Sequence, residues 1–286
     1  SVLTYGVYSD TISSSIYVNG IFSVYKGVAA NRIIKILPNG TKDTSFDNGS
    51  GGFNNAVVAL KINNDGTLFA SGHFNLWKGV STLRLVKLDS SGNKILSFNP
   101  GTSFNNNNSY VNRDSGDDLY GYGYFTSYNG VTASYIVKID PDTGLKDNSF
   151  VYGTGFNNFT NAFHKNDDGT LFIGGGFTAY NGTSSNYFIK LLPSGAVDTS
   201  FNMGTGFNNV VYGVIVRNGK VIISGDFTTY NGFVAKNIIK LNSDGSIYNG
   251  SEFSFLEGKA TYNIKNLEDT TDDEILPKSL INDLIR

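Results

Sequence analysis

Carboxylates are the groups in this sequence best suited to acid–base work, and they are unevenly placed. All four Glu (Glu252, Glu257, Glu268, Glu274) fall in the last 35 of the 286 residues. Before them only Asp can supply the two carboxyls, about 5–10 Å apart, that glycoside hydrolysis needs. Asp114, Asp117 and Asp118 form the tightest cluster, close to Asn105–Asn108, Tyr110, Tyr120, Tyr122 and Tyr124. Amides and phenol rings suit a sugar, through hydrogen bonds and stacking. Asn107, Tyr110, Asp114, Asp117, Asp118 and Tyr120 therefore make a candidate ligand-contact loop. The plainer expectation for the same residues is an exposed Asp-rich turn beside ordinary core aromatics.

Two further sets recur. Asp43, Asp147 and Asp198 each stand just before a Ser-Phe pair, and Lys35, Lys87, Lys138, Lys190 and Lys240 recur in apolar stretches. A ring of carboxylates could take a cation or a sugar, and a ring of lysines an anion. The simpler expectation is that each Asp bonds nearby backbone at a strand end. Each Lys then packs its stem and leaves its head in solvent. His73 and His164 are the only histidines and there is no Cys, which leaves no thiol nucleophile and no Cys/His zinc set. Asn63-Asn64-Asp65-Gly66 and Asn166-Asp167-Asp168-Gly169 start like calcium loops but lack the distal Glu, and hairpin turns are the better reading. We expect no catalytic residue, no metal and no cofactor.

What positions these residues is a repeat. Gly-x-Phe recurs at Gly20–Phe22, Gly72–Phe74, Gly123–Phe125, Gly175–Phe177 and Gly225–Phe227. Three residues on stands Tyr25, Trp77, Tyr128, Tyr180 or Tyr230, followed by Lys-Gly or Asn-Gly. Phe-Asn-Asn begins at Phe53, Phe104, Phe156 and Phe207. Five units of about 51 residues cover 1–255, about 1–46, 47–98, 99–150, 151–201 and 202–255. In the second, strands are expected at Val57–Ile62, Leu68–Trp77, Leu83–Leu88 and Lys94–Phe98, joined by turns at Asp65-Gly66, Lys78-Gly79 and Ser91-Gly92. Four antiparallel strands at this period is the signature of a β-propeller blade. The fold class is thus all-β, a propeller of about five four-stranded blades. Gly and Asn make up 34 and 35 residues, and the hairpin turns account for much of that excess.

The combination Gly175-Gly176-Phe177, Tyr180-Asn181-Gly182, Ile189-Lys190-Leu191, Asp198-Thr199-Ser200-Phe201 and Gly204-Thr205-Gly206-Phe207 resembles the delta-60 repeat, a β-propeller repeat. The resemblance covers nearly all of 1–255. It departs at the first strand of unit one, at Asn105–Asn108 and at the end of unit five. It implies a bacterial surface protein or a phage structural protein, and brings no catalytic residues to carry over.

Five whole units suit a closed five-blade ring, with an arc of a larger ring as the alternative. Composition breaks near residue 256: residues 1–255 carry 18 Lys+Arg against 17 Asp+Glu, and 256–286 carry four against seven. In this acidic tail Leu276, Leu280, Ile281, Leu284 and Ile285 fit one stripe of a short helix, a candidate partner-docking segment. A net charge of −2 gives no overall basic signal for nucleic acid, and no apolar run is long enough to span a membrane as a helix. The expected role is a non-catalytic structural or interaction module. Its partners would be other structural proteins of a larger assembly, in a phage virion (tail or baseplate), as part of an oligomer. A carbohydrate-binding bacterial surface protein or adhesin is the alternative, and a polysaccharide-acting enzyme the weaker one.

Overall fold

The computed structural model describes residues 3–10, 12–46, 51–113 and 118–249. Asp114, Asp117 and the whole 256–286 tail, with Leu276, Leu280, Ile281, Leu284 and Ile285, lie outside them. The described residues form five three-stranded antiparallel sheets and five two-residue hairpins, and no helix is among them. In each sheet the second strand lies in the middle. Blade two is representative: Val57–Ile62 pairs with Leu68–Gly72, which pairs with Leu85–Leu88. The first strands of neighbouring blades pack together: Leu3–Asp10 on Val57–Ile62, that strand on Ser109–Arg113, and Thr160–Lys165 on Val211–Arg217. First strands are therefore innermost. The fourth strand of each blade shrinks to a single bridge: Ile36 with Lys42, Leu88 with Lys94, Ile139 with Lys146, Leu191 with Val197, and Leu241 with Ile247.

The Lys-Gly and Asn-Gly turns do not join the second strand to the third. They tip a separate miniature hairpin, such as Leu76–Trp77 with Val80–Ser81, that leaves the sheet and returns. The turn chemistry is as expected, with positive φ at both positions (Asn181 48°, Gly182 76°), as a type I′ turn requires. The exit point explains the Gly of Gly-x-Phe. A Cβ on Gly72 would stand 2.2 Å from the Ala56 carbonyl oxygen, and one on Gly175 2.2 Å from that of Phe159. The return point is a strained residue that the sequence did not announce. Arg32, Arg84, Tyr135, Tyr187 and Asn237 all have φ between 56° and 70°, a conformation that costs a non-glycine residue about 1–2 kcal/mol.

The Phe-Asn-Asn motif clamps this hairpin. Phe156 bridges Tyr180 and packs on Phe177 and Tyr180 with centroids 4.4 and 4.7 Å away. Asn157 Oδ1 accepts from the backbone N–H groups of Thr178 and Ala179, and its Nδ2 donates to Thr178 Oγ1. Asn54, Asn105 and Asn208 do the same in their blades. The hairpin tyrosine then donates to a turn carbonyl: Tyr128 to Gly144, Tyr180 to Gly195 and Tyr230 to Gly245, each at 2.6 Å.

Between blades the core repeats as well. One face of each of blades one to four offers an edge-on aromatic pair: Tyr17–Phe46, Phe69–Phe98, Tyr120–Phe150 and Phe172–Phe201, at 5.1–5.6 Å. The next blade covers it with an aliphatic strip, such as Leu60, Leu68, Ala70, Val86 and Leu88 over Tyr17 and Phe46. Burying each such side chain contributes about 1.5–3 kcal/mol.

Candidate functional site

The recurring Lys and Asp meet one another. Lys35 Nζ lies 3.0 Å from Asp10 and 3.8 Å from Asp43. Lys138 lies 2.8 Å from Asp118 and 3.3 Å from Asp147, and Lys190 2.8 Å from Asp198. Each Lys also stands over a core ring of its own blade, Tyr17, Tyr120 or Phe172, at 5.3–5.9 Å. These ammonium groups are thus buried and paired, where the sequence suggested solvated heads. The packed stems force this, since an ammonium carried to a blade interface must find a carboxylate. Units two and five have Ile95 and Tyr248 where the other three have Asp: Lys87 reaches Asp142 (3.3 Å) and the Pro141 carbonyl (2.9 Å) of the next blade, and Lys240 stands over the Tyr248 ring at 4.4 Å.

The Asp side chains also bond local backbone, as expected. Asp43, Asp147 and Asp198 accept from the N–H groups of Ser45, Ser149 and Ser200. Burial opposes ionisation of all three. The serine bonds and the facing lysine outweigh it and hold each carboxyl below its ordinary value. Burial likewise opposes charge on Lys35 and Lys138, and their carboxylate partners overcome it and raise both. The periodic charges are therefore structural.

Of the proposed ligand-contact residues, two are corrected. Tyr120 is 1% exposed, wedged between Phe150 and Phe163 in the core of blades three and four. Its alternation along a middle strand puts it between blades. Asp118 is held by Lys138 and also lies 3.5 Å from Lys165 of blade four. Asn107 is on the surface, where its Oδ1 accepts from Arg84 Nε at 2.8 Å, tying blade three to blade two.

Tyr110 belongs to a different grouping. Four inner strands carry a β-bulge near their start, between Thr4 and Gly6, Val57 and Ala59, Thr160 and Ala162, and Val211 and Gly213. The extra residues are Tyr5, Val58, Asn161 and Tyr212; blade three has no bulge, and its Tyr110 pairs regularly opposite Tyr122, next to where the extra residue stands in the other blades. A bulge re-aims its side chain and recurs beside functional sites. Tyr5 is 46% and Tyr212 42% exposed. Burial pushes the Tyr110 phenol up, and the nearby Tyr124 and Tyr5 hydroxyls add to this. Burial also raises Tyr122, helped by Tyr110 and Tyr8. Side chains of blades one and three thus converge, and the Tyr110 and Tyr122 hydroxyls stay protonated donors at neutral pH.

The same rim holds stacked rings. Tyr122 lies on Tyr110 and on Phe163 (centroids 5.5 and 5.1 Å), and Tyr124 on Phe159 (4.5 Å, 10° between planes). Tyr212 Oη donates to Asp226 Oδ2 at 2.9 Å, and His73 Nε2 lies 3.0 Å from Asn108 Oδ1. We take this mouth as the candidate contact site. The signal that could have found it is variation within regularity: Tyr5, Val58, Asn161 and Tyr212 share a phase but not a type. Among the described residues no group of three or more His, Asp or Glu could hold a metal ion.

The profile of a β-propeller family described as a domain of unknown function, DUF5122, matches residues 15–46, 119–150, 167–201 and 217–247. These segments fall in units one, three, four and five. No curated protein matches the chain. Among solved structures, a computationally designed protein, Ika8, is similar at 9% identity and TM-score 0.53, over 85% of this chain and 60% of that one. The extracellular domain of a one-component system from B. thetaiotaomicron is similar at 14% identity and TM-score 0.49, over 87% of this chain and 30% of that one. A gluconolactonase from Xanthomonas campestris is similar at 12% identity and TM-score 0.44, over 85% and 74%. The chain spans three fifths of the first of these proteins and under a third of the second. At such identities the likeness is one of fold. With five stacked sheets and four units matching one propeller family, the chain is a β-propeller repeat protein.

Proposed function

We propose that the chain is a non-catalytic interaction module whose contact surface is the tyrosine mouth. One observation carries this reading: three of the five recurring lysines, Lys35, Lys138 and Lys190, are spent on the recurring Asp43, Asp147 and Asp198 inside the blades. What the rim offers is phenol, amide and stacked rings, groups that bind through surface contact and hydrogen bonds. The repeats are read as delta-60 repeats, and the assembly as a phage virion, in its tail or baseplate. The 256–286 segment docks the propeller there through Leu276, Leu280, Ile281, Leu284 and Ile285. In that setting the chain co-purifies with phage particles, and Leu280→Lys with Leu284→Lys releases it while the propeller stays folded. Absence of the wild-type chain from such particles contradicts the virion assignment.

A second reading is a carbohydrate-binding surface protein or adhesin. It is favoured by the tyrosines at equivalent bulge positions, since sugars stack on exposed phenol rings. Binding to a glycan panel that drops with Tyr5→Ala and Tyr212→Ala supports it, and unchanged binding by the double variant contradicts it.

A further inference from the structure

Blade one leaves Val7 and Ile16 exposed on a face that later blades bury or partly bury, while Ile34 and Ile36 on the same face are buried. Pairing aligns Val7, Val18 and Ile34 across its sheet, as it aligns Leu60, Ala70 and Val86 across blade two. Ile16 and Ile36 likewise correspond to Leu68 and Leu88. Leu60 is 2% exposed and Leu68 fully buried, whereas Val7 is 63% and Ile16 37% exposed. Val111 and Val214, at the phase of Val7, are buried, as are Leu119, Leu171 and Val221 at the phase of Ile16. A hollow of about 520 Å³ opens on the same face, lined by Ile16, Ile36, Tyr25 and Pro38.

The far end shows the reverse half. Tyr17, Phe69, Tyr120 and Phe172 are buried by the following blade. Their counterpart in blade five, Ile222, is only half-buried, as are Ile215 opposite it and Tyr248. Among the described residues Ile34 and Ile36 are covered by Phe22, Ala30 and Tyr25 of blade one itself, and Val7 and Ile16 at one end and Ile215 and Ile222 at the other stay the less covered positions. These are the two halves of the interface that the chain already makes between each successive pair of blades.

We propose that blade five of one copy of this chain packs on blade one of a second copy. A second copy covers both ends at once, using side chains the repeat already selects for this contact. Residues 1–255 are nearly neutral, 18 Lys+Arg against 17 Asp+Glu, so no field opposes the approach. The contact is head-to-tail, which closes into a ring when the rotation allows and otherwise continues as a filament. Two copies closing on each other is the smallest such ring.

Sedimentation of the full chain tests this. The wild type is expected at twice its 30.9 kDa mass. Val7→Lys and Ile222→Lys, at opposite ends, are each expected to sediment as monomers. An equimolar mixture of the two variants is expected to recover a dimer, because one wild-type pair of faces remains. Hydrogen exchange of the wild type needs no variant, and is expected to slow in strands 3–10 and 220–225 as concentration rises. A monomeric wild type at every concentration overturns the proposal. So does a dimer that survives both substitutions. Concentration-independent protection of strand 3–10 in a monomer also overturns it, and assigns that face to residues of the same chain.

Discussion

Lys190 Nζ lies 2.8 Å from Asp198 Oδ2, with both side chains about nine-tenths buried. Each residue, taken alone, could have lined a binding channel. Together they neutralise each other beside the Phe172 ring and leave little charge for chemistry. Breaking such a pair by removing one partner costs about 3 kcal/mol, because the other charge stays buried. Lys190→Met should therefore destabilise the chain by about that much in urea unfolding. Adding Asp198→Asn should recover most of it. A neutral effect of the single substitution would place this pair in solvent.

Acid should act in two stages. Burial keeps His164 neutral and lowers its pKa, against the opposing pull of Asp167 and Asn166. Its stabilising contribution is present above its unfolded pKa of about 6.5 and is lost as pH falls toward the folded value. Asp43, Asp147 and Asp198 have depressed folded values. Their contribution is present above about 3.9 and is lost as pH falls below it. Thermal melts across pH should show both stages, and His164→Gln should erase only the upper one. At the alkaline end Lys35 and Lys138 are raised. Their contribution holds below about 10.4 and fades above it.

Two glycines should differ sharply. A Cβ on Gly175 meets the Phe159 carbonyl at 2.2 Å, backbone that cannot step aside, whereas one on Gly182 meets nothing within 4 Å. Gly182→Ala should cost about 1–2 kcal/mol, from its left-handed backbone alone. Gly175→Ala should cost clearly more and displace the inner strand. Circular dichroism melts of the two variants decide it.

The propeller was legible because hairpin chemistry and aromatic spacing repeat at fixed phase. Phe177 and the turn Asn181-Gly182 have counterparts in all five blades, Lys-Gly replacing Asn-Gly in two, and Phe201 has counterparts in the first three. The miniature hairpins were not legible. Leu68–Trp77 reads as one strand, because what breaks it at Gly72 is the approach of the Ala56 carbonyl at the start of the paired strand Val57–Ile62. The fate of Tyr120 was equally hidden. Leu119 and Gly121 beside it are buried as well, because a middle strand is covered on both faces by neighbouring blades. The lysine pairs were half visible: period gave the residues, and only packing showed that the heads are enclosed.

The hairpin tyrosines give a prediction for a single hydrogen bond. Tyr180→Phe leaves the Gly195 carbonyl without its 2.6 Å donor and should cost about 1–2 kcal/mol. Trp77 holds the same place in blade two, and its indole N–H has no partner among the described residues. Any loss on Trp77→Phe should therefore come from packing alone, through the 4.3 Å contact with Phe53. Double-mutant cycles with Phe156→Leu and Phe53→Leu separate the two causes.

The central claim, that the recurring charges build the blades and the tyrosine mouth makes contact without catalysis, is tested most directly on polysaccharides. The full chain is incubated with a panel of bacterial surface polysaccharides while bound glycan and released reducing ends are both followed. The account predicts no release, and that any binding falls with Tyr5→Ala and Tyr212→Ala while Asp118→Asn leaves it in place. Sustained release of reducing ends, abolished by Asp118→Asn or Asp226→Asn in a folded chain, would contradict it.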